Sequence, residues 1–238
     1  MSFSMWYRYF YFYTSIRVYT GLLTSCIMVT MLNGVMELKE NQLIKLKDTI
    51  VFVTGNKGKV ASAQRYLKDI AIEIYDYDLV EPRSEDIKEI AEYKVRQAYE
   101  VTHKPCIALD AGFFVEALHG FPKTYVHFTL DSLGIEGILK LMDGVENRRC
   151  AFKECLAYYD GEHLLYFYGN HEGTLSTEIR GKDSDKKWSD LWYVFMPYGF
   201  HKTLAEMSDE EINSRKRCPE NTSAMEEFAD YYEKTKDL

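Results

Sequence analysis

The segment TIVFVTGNKGK, residues 49–59, begins as a β-branched apolar run and ends in a turn that contains two glycines. Short runs rich in Val and Ile, bounded by glycine, are typical of buried strands. Residues 59–70 then continue with apolar side chains at helical spacing. The segment therefore predicts a buried strand, a tight turn and a helix, which is the repeating unit of α/β proteins.

The rest of the chain continues the alternation of short apolar runs and amphipathic stretches. Strands are predicted at 72–79, 105–118 (broken by Asp110-Ala111-Gly112), 151–159, 164–168 and 173–179. Helices are predicted at 83–102, 134–142, 208–214 and 224–234. Strands alternate with helices first and cluster later, so the pattern indicates a mixed α/β fold around a long twisted sheet.

The composition is that of an ordinary globular protein. Its 238 residues are 46% hydrophobic and 28% charged, which suits one sizeable domain with or without an extension. The 37 acidic residues exceed the 29 basic ones, which argues against a non-specific nucleic-acid binder. Five cysteines, with no Cys-x-x-Cys pair, predict neither a disulfide framework nor a zinc site. A reduced, cytoplasmic setting is expected.

Residues 1–46 are predicted to be an aromatic-rich N-terminal extension of a domain spanning 47–238. Residues 1–36 carry two arginines and no acid, and aromatic side chains crowd residues 1–19. A membrane-inserting segment is disfavoured by the polar residues within the uncharged stretch 18–35, and a signal peptide by the lack of a clean basic start. An appendage outside the main fold, or a surface for a partner or self-association, is favoured.

The turn at Thr54–Lys59 has the features of an anion site. Backbone N–H groups at a helix N-terminus attract negative charge, and Lys59 adds a positive one. The turn matches neither a Walker loop nor the G-x-G-x-x-G pattern. By itself it favours a plain strand-to-helix connection over an anion site.

Three charged side chains stand against the apolar pattern. Lys94 lies close to the apolar stripe of its predicted helix, where a lysine either extends to solvent or points into a site. Asp110 directly follows an apolar run, and acids at strand ends either face a ligand crevice or stabilise a turn. Glu81 offers a second carboxylate. Two carboxylates and two lysines form a set that suits Mg²⁺ and phosphate oxygens together.

Four blocks of sequence resemble the inosine-triphosphate pyrophosphatase family, whose members clear non-standard purine nucleotides such as ITP, dITP and XTP. They are TGNKGK (54–59), EIAEYKVRQA (89–98), DAGFFVEALHGFP (110–122) and KTLAEMSDEEIN (202–213). The resemblance covers about residues 49–215, with the blocks in the family's order. The first and last blocks together are highly specific.

The resemblance implies an elongated, two-lobed α/β fold around a long twisted mixed sheet, assembled as a homodimer. The implied reaction is Mg²⁺-dependent hydrolysis of a purine nucleoside triphosphate to the monophosphate and pyrophosphate. No nucleic acid or membrane partner is expected.

The resemblance also implies roles for individual residues. Asp110, Lys59 and Lys94 would be catalytic, and Glu81 with Asp110 would hold the metal. The residues expected to contact substrate are Thr54, Gly55, Asn56, Lys59, Lys94, Gly112, Trp192, Lys202, Arg215 and Arg217. Asp110 matches the acid that helps to activate the attacking water.

The chain departs from the family's pattern at four places. Leu109 stands where a second acid usually precedes Asp110, and His127 stands near the position of a usual phosphate-side lysine. The loop LWYVFMP (191–197) lacks the usual Asp-Pro, and SRKRC (214–218) replaces a Ser-His-Arg that helps to hold the purine. Two functions stay open: a pyrophosphatase, or a catalytically weakened sensor that binds a dITP-type nucleotide and regulates a partner protein.

Overall fold

The computed structural model describes residues 27–32, 35–40, 43–47, 49–183, 187–215 and 220–237. The chain divides into two compact units, Met1–Leu43 and Ile44–Leu238. Within the first unit, β1 (Ile27–Leu32) pairs antiparallel with β2 (Val35–Glu40). The aromatic stretch 1–19 lies outside the described residues, so its predicted roles stay predictions.

Residues just before the second unit's first strand pack on that unit's core. The backbone N–H of Ile44 donates to the hydroxyl of Tyr231 (2.9 Å), and that of Lys47 donates to the hydroxyl of Tyr158 (3.3 Å). Leu46 is buried in the first hydrophobic cluster. Residues 44–46, which the sequence analysis assigned to the extension, therefore belong structurally with the domain that follows.

One eight-stranded mixed sheet organises the described part of the second unit. Its strands are β3 (Thr49–Val53), β4 (Ala71–Tyr75), β5 (Cys106–Val115), β6 (Pro122–Lys123), β7 (Arg149–Tyr159), β8 (Leu164–Leu175), β9 (Phe195–Pro197) and β10 (Asn221–Thr222). The strand order is β10-β8-β7-β5-β3-β4, with β6 paired to β5 and β9 to β8. β3 pairs in parallel with β4 and β5, and the other pairings are antiparallel. The predicted mixed α/β class is confirmed.

Five helices accompany this sheet within the described ranges. They are α1 (Lys57–Tyr66), α2 (Ile87–Thr102), α3 (Val126–Leu141), α4 (Asp209–Ser214) and α5 (Ala224–Thr235). α2 begins where the Asp86 side chain accepts from the N–H of Lys88, and it ends at His103 in the left-handed region (φ 52°). α3 is interrupted at Gly134 (φ 66°), which explains why helical spacing was recognised only over 134–142.

Two hydrophobic clusters on one face of the sheet form the cores of two lobes. The first cluster joins α1 and α5 to the sheet and contains Leu109 and Leu156. The second contains Phe113 and Phe195, together with residues of α3 and α4. Leu109 and Phe113 lie four residues apart on one face of β5, so the same strand supports both lobes. α2 covers the opposite face over a third cluster.

Two predicted strand breaks are wrong. β5 runs without interruption through Asp110 and Gly112, because both residues pair with β7. β8 is likewise one strand from Leu164 to Leu175, although glycines at 169 and 173 favoured two. A Cβ at Gly173 would lie 2.3 Å from the carbonyl oxygen of Met196, so this glycine permits the close approach of β9.

No helix in the described ranges is long and apolar enough to cross a membrane.

Candidate active site

The turn between β3 and α1 is held by side chains of its own sequence. The backbone N–H of Asn56 donates to Thr54 Oγ1 (3.1 Å), and the N–H of Lys59 donates to Asn56 Oδ1 (3.0 Å). Asn56 is therefore the N-cap of α1. Its side-chain amide also donates to the carbonyl oxygen of Trp188 (3.3 Å). Thr54 and Asn56 thus stabilise the turn, and Gly55 within it is exposed, while phosphate binding by these residues stays a prediction.

Lys59 reaches from the first turn of α1 to the next strand. Its ammonium donates to the carbonyl oxygen of Leu109 (2.8 Å). Burial and the positive charge of Lys94 lower the pKa of Lys59 to about 8, against the opposing pull of Asp110 and Glu81. Lys59 is consequently the cation of this region whose charge is most sensitive to mildly alkaline pH.

Lys94 joins the two carboxylates that the sequence analysis grouped with it. Its ammonium lies 2.6 Å from Glu81 Oε1 and 3.3 Å from Asp110 Oδ1. Only 10% of the Lys94 side chain is exposed, so the alternative of a lysine extending to solvent is wrong. Burial lowers the pKa of Lys94, but the charges of Asp110 and Glu81 outweigh that effect and raise it. Lys94 is therefore charged at neutral pH.

Asp110 lies inside β5 and not at its end. β3 pairs with β5 only as far as Phe52 opposite Ile107, and β5 then continues past the end of β3. The buried carboxylate of Asp110 therefore sits beside the turn that follows β3, although its own strand goes on. The prediction of a strand end was wrong for Asp110 itself, but the carboxylate does lie beyond the end of the neighbouring parallel strand β3.

Leu109 occupies the place of the family's second acid, and its side chain faces away from Asp110. It is buried among Leu156 and other members of the first hydrophobic cluster. Successive residues of a strand point to opposite faces, so Leu109 and Asp110 serve different sides of the sheet. The position contributes packing and, through its carbonyl oxygen, a partner for Lys59.

Glu81 is the more exposed of the two carboxylates. About half of its side chain is accessible (53%), whereas that of Asp110 is 8% accessible. Partial burial raises the pKa of Glu81, but the ammonium of Lys94 outweighs this and lowers it below its usual value, with a smaller contribution from His127. Both acids thus present oxygen atoms to one shared cation, the Lys94 ammonium.

The other residues predicted to contact substrate are more dispersed. The ammonium of Lys202 lies 2.6 Å from Glu211 Oε1 on α4, and Trp192 packs against the second cluster. Trp192 borders a small cavity of about 80 Å³. Arg215 ends α4, and Arg217 lies outside the described residues. Gly112 packs on the backbone of Lys123, where a Cβ would lie 2.7 Å from the carbonyl oxygen.

Trp188, which the sequence analysis did not single out, connects the segment leading to Trp192 with α1. Its indole N–H donates to Ser62 Oγ (2.9 Å), and its carbonyl oxygen accepts from Asn56. A Cβ at Gly58 would lie 2.6 Å from the carbonyl oxygen of Lys187, so the second glycine of the turn permits this contact. No local pattern marks Trp188, because its partners lie more than 120 residues away along the chain.

A large open cavity of about 1090 Å³ lies elsewhere on the sheet. Its lining includes Lys88, Lys153, Tyr168 and Tyr198, and it includes none of Lys59, Glu81, Lys94 and Asp110. The four charged side chains therefore do not line this cavity, although its lining residue Cys155 pairs with Asp110 across β5 and β7. Within the described ranges, no group of three or more His, Cys, Asp or Glu side chains is arranged to hold a metal ion by itself.

Comparison with known proteins identifies relatives of this chain that carry related names. The Ham1 family model matches residues 50–231. The dITP/XTP pyrophosphatase of Thermococcus kodakarensis is 37% identical over 184 residues, which cover 76% of this chain and 96% of that protein. The inosine triphosphate pyrophosphatase of Yarrowia lipolytica is 35% identical over 169 residues, covering 70% of this chain and 87% of that protein.

Solved structures with the same fold are more distant in sequence. A HAM1 protein from Coxiella burnetii superposes with a TM-score of 0.62 at 22% identity, covering 76% of this chain and 94% of that one. A nucleoside-triphosphatase / dITP/XTP pyrophosphatase from Mycobacterium abscessus gives a TM-score of 0.56 at 22% identity, covering 70% and 92%. These similarities show that the fold of the second unit is shared with both proteins.

Proposed function

This chain belongs to the Ham1 family, and from that premise we propose that it hydrolyses the triphosphates of non-standard purine nucleosides, releasing the nucleoside monophosphate and pyrophosphate. The observation that carries the proposal is the charged cluster beside the turn after β3. There Lys94 lies between Glu81 and Asp110, and Lys59 reaches the neighbouring carbonyl oxygen. Relatives over 30% identical carry the names dITP/XTP and inosine triphosphate pyrophosphatase.

The phosphate end of the proposed site is the turn at Thr54–Lys59. Asn56 starts α1 so that backbone N–H groups of its first turn can receive phosphate oxygens, which the helix N-terminus favours. Lys59 and Lys94 supply the charge that a triphosphate needs. When substrate arrives, the Lys94 ammonium exchanges a carboxylate partner for a phosphate oxygen, which leaves Asp110 able to orient and deprotonate the attacking water.

Glu81 and Asp110 also fit a divalent cation. Both carboxylates approach the same ammonium, so their oxygen atoms already converge on one positive charge. Mg²⁺ is commonly held by one or two carboxylates together with substrate phosphates, so two protein ligands are sufficient. When bound, the ion would neutralise phosphate charge and polarise the phosphorus centre. We assign Glu81 and Asp110 as its protein ligands.

The base end of the proposed site comprises Trp192, Arg215 and Arg217. The usual Asp-Pro and Ser-His-Arg are absent here, so recognition relies on stacking and charge in place of a fixed set of hydrogen bonds. Strong discrimination requires buried polar groups that a wrong ligand leaves unpaired. We therefore expect 6-oxopurine triphosphates to be preferred over ATP, but by a smaller margin than in relatives with the intact motifs.

The pH dependence of Lys59 gives a direct test of the phosphate end. Below pH about 8 its ammonium is charged, and above it the charge is lost. Because kcat/KM reports ionisations of the free enzyme, kcat/KM for ITP should fall on the alkaline side with a pKa about 8. In Lys59→Arg the guanidinium stays charged, and this fall should disappear.

The matched control is Lys68→Arg, because Lys68 is an exposed lysine just beyond α1. An alkaline fall that persists unchanged in Lys59→Arg would refute the assignment.

Replacing Trp192 by alanine tests the base end. Base–aromatic stacking is worth about 1–3 kcal/mol, so Trp192→Ala should weaken ITP binding about tenfold. Binding of inorganic tripolyphosphate, which has no base, should change little and provides the internal control. Calorimetric titration of ITP, dITP, GTP and ATP would show whether the preference for 6-oxopurines changes too. If the variant has the same affinities and the same preference for 6-oxopurines as the wild type, Trp192 only packs against the second lobe.

A second candidate function, nucleotide sensing with weak turnover, is favoured by one observation. The position before Asp110 is Leu109, whose side chain is committed to the hydrophobic cluster on the other face, so position 109 adds no further carboxylate to Glu81 and Asp110. A sensor of a dITP-type nucleotide would bind the triphosphate tightly and release pyrophosphate slowly. Measuring affinity and pyrophosphate release in parallel over a panel of triphosphates with Mg²⁺ separates the two functions. Assembly as a homodimer and a cytoplasmic location stay predictions.

A further inference from the structure

A buried network of polar side chains joins three strands near the C-terminal part of the chain. Glu154 on β7 is 5% exposed, and its Oε1 lies 2.6 Å from Nε2 of His171 on β8. The other ring nitrogen, Nδ1, lies 2.5 Å from Oδ1 of Asn221 on β10. The proposed reaction uses none of these three residues.

Strand geometry explains why Glu154 and His171 meet. Glu154 pairs with Gly169 across the β7–β8 ladder, and His171 is two residues further along, so both side chains lie on one face as diagonal neighbours. Phe152 and Leu156 share that face, which makes Glu154 a charged residue on an apolar side of its strand. A Cβ at Gly169 would lie 2.7 Å from Glu154 Oε2, so the glycine makes room for the carboxylate.

The network continues from the sheet to the ends of two helices. Glu154 Oε2 accepts from the backbone N–H of Ala224, the first residue of α5 (3.2 Å). The side-chain amide of Asn221 donates to the carbonyl oxygen of Arg215, where α4 ends. Arg215 belongs to the predicted base end. A continuous chain of hydrogen bonds thus connects the central strands to the backbone of a base-end residue.

The charge state of the network is set by its own members. Burial lowers the pKa of His171, but the Glu154 carboxylate outweighs this and raises it. Burial raises the pKa of Glu154, but His171 outweighs this and lowers it. The charges facing the pair from other elements are Lys59 on α1, which favours the carboxylate, and Arg215, which disfavours the imidazolium. The phenol of Tyr66 on α1 also faces Glu154 and Arg215.

We propose that Glu154, His171 and Asn221 are positioning residues that hold Arg215 in place for the purine base, and that protonation of His171 controls how well they do so. The inference rests on the proposed function, because it concerns the base end of that same site. When protonated, His171 has two N–H donors, one for each partner. A neutral ring keeps one N–H, so either Glu154 or Asn221 loses its hydrogen bond and the connection to Arg215 loosens.

The test compares a ligand that has a base with one that has none. Calorimetry would give the dissociation constants of α,β-imido-ITP, whose bridging nitrogen resists the proposed cleavage, and of inorganic tripolyphosphate. Their ratio isolates the base end, because titration of Lys59 affects both ligands through the phosphates. Measurements run upward from about pH 6, because the pKa of His171 is raised above the usual histidine value of about 6.5.

At the lower pH, we expect His171→Gln to weaken binding of α,β-imido-ITP about tenfold relative to binding of tripolyphosphate. Loss of a hydrogen bond to a charged group typically has an effect of this size. Ionisation of the two ligands is the same for both proteins, so the wild-type ratio should approach the ratio of His171→Gln toward the higher pH. His163→Gln is the matched control, since His163 also contacts a carboxylate, at the β7–β8 turn (Nδ1 to Asp160 Oδ2, 3.4 Å). It should retain the wild-type ratio and its pH dependence.

Asn221→Ala provides a second variant should His171→Gln fail to fold. It removes the connection to Arg215 while leaving the Glu154–His171 pair, and should shift the ratio in the same direction. Unchanged ratios in the folded variants, or a difference between wild type and His171→Gln that does not vary with pH, would overturn the inference while leaving the pyrophosphatase proposal intact. A wild-type protein that binds neither ligand would instead overturn the proposed function, and the inference with it.

Discussion

Asp110→Asn should reduce pyrophosphate release from ITP by about 100- to 10,000-fold, the range over which a positioned acid or base contributes to catalysis. The amide keeps the shape of the side chain and can still accept a hydrogen bond from Lys94, whose ammonium lies 3.3 Å from Asp110 Oδ1. It cannot accept the proton of the attacking water. Leu109 offers no carboxylate in compensation, because its side chain lies in the cluster on the other face.

Nucleotide binding should remain measurable in Asp110→Asn, since Lys59 and the turn that we propose holds phosphate are untouched. Binding and pyrophosphate release are therefore measured on the same preparation. Asp69→Asn, at an exposed position after α1, is the control for removing one negative charge. Turnover within about threefold of the wild type would show that Asp110 neither binds the metal nor activates the attacking water.

Lys94→Met should cause the second large effect, on stability as well as on activity. Removing one partner of a buried ion pair leaves the other charge uncompensated, which typically costs about 3–5 kcal/mol. Glu81 is half exposed and regains solvent, so the low end of that range is expected for the loss in the free energy of unfolding. Triphosphate affinity should fall as well, because the ammonium is proposed to receive phosphate oxygens.

A double variant separates the electrostatic cause from lost packing. Lys94→Met combined with Asp110→Asn removes both charges of the buried pair, so urea unfolding should show recovered stability while hydrolysis stays absent. Lys88→Met, an exposed lysine on the same helix, is the matched control. If the single and double variants are equally destabilised, the ion pair does not account for the role of Lys94.

Much of the charged cluster could be predicted from sequence because its signals are local. The TGN turn, the lysine on the apolar side of α2 and the acid after an apolar run each stand out within a few residues. Their convergence follows from the strand order, in which β5 pairs directly with β3. Lysine ammonium groups suit phosphate oxygens, and carboxylates suit a divalent cation. The residue types alone therefore point to the same four charged side chains: Lys59, Glu81, Lys94 and Asp110.

The features that sequence analysis missed depend on contacts between distant parts of the chain. Trp188 meets α1 through Ser62, and Glu154 meets the start of α5 at Ala224. Strand parity alone could have marked Glu154, which shares its face with Phe152 and Leu156. The continuity of β5 through Asp110 was hidden because acid–small–glycine runs usually signal turns, whereas here pairing with β7 satisfies the backbone.

The products of a single reaction test the central claim most directly. The protein is incubated with ITP and Mg²⁺, and IMP, IDP, pyrophosphate and inorganic phosphate are quantified over time. The account predicts IMP and pyrophosphate in equal amounts, with no accumulation of IDP. Release of inorganic phosphate with IDP as the first product would contradict it, because hydrolysis would then occur at the wrong phosphorus.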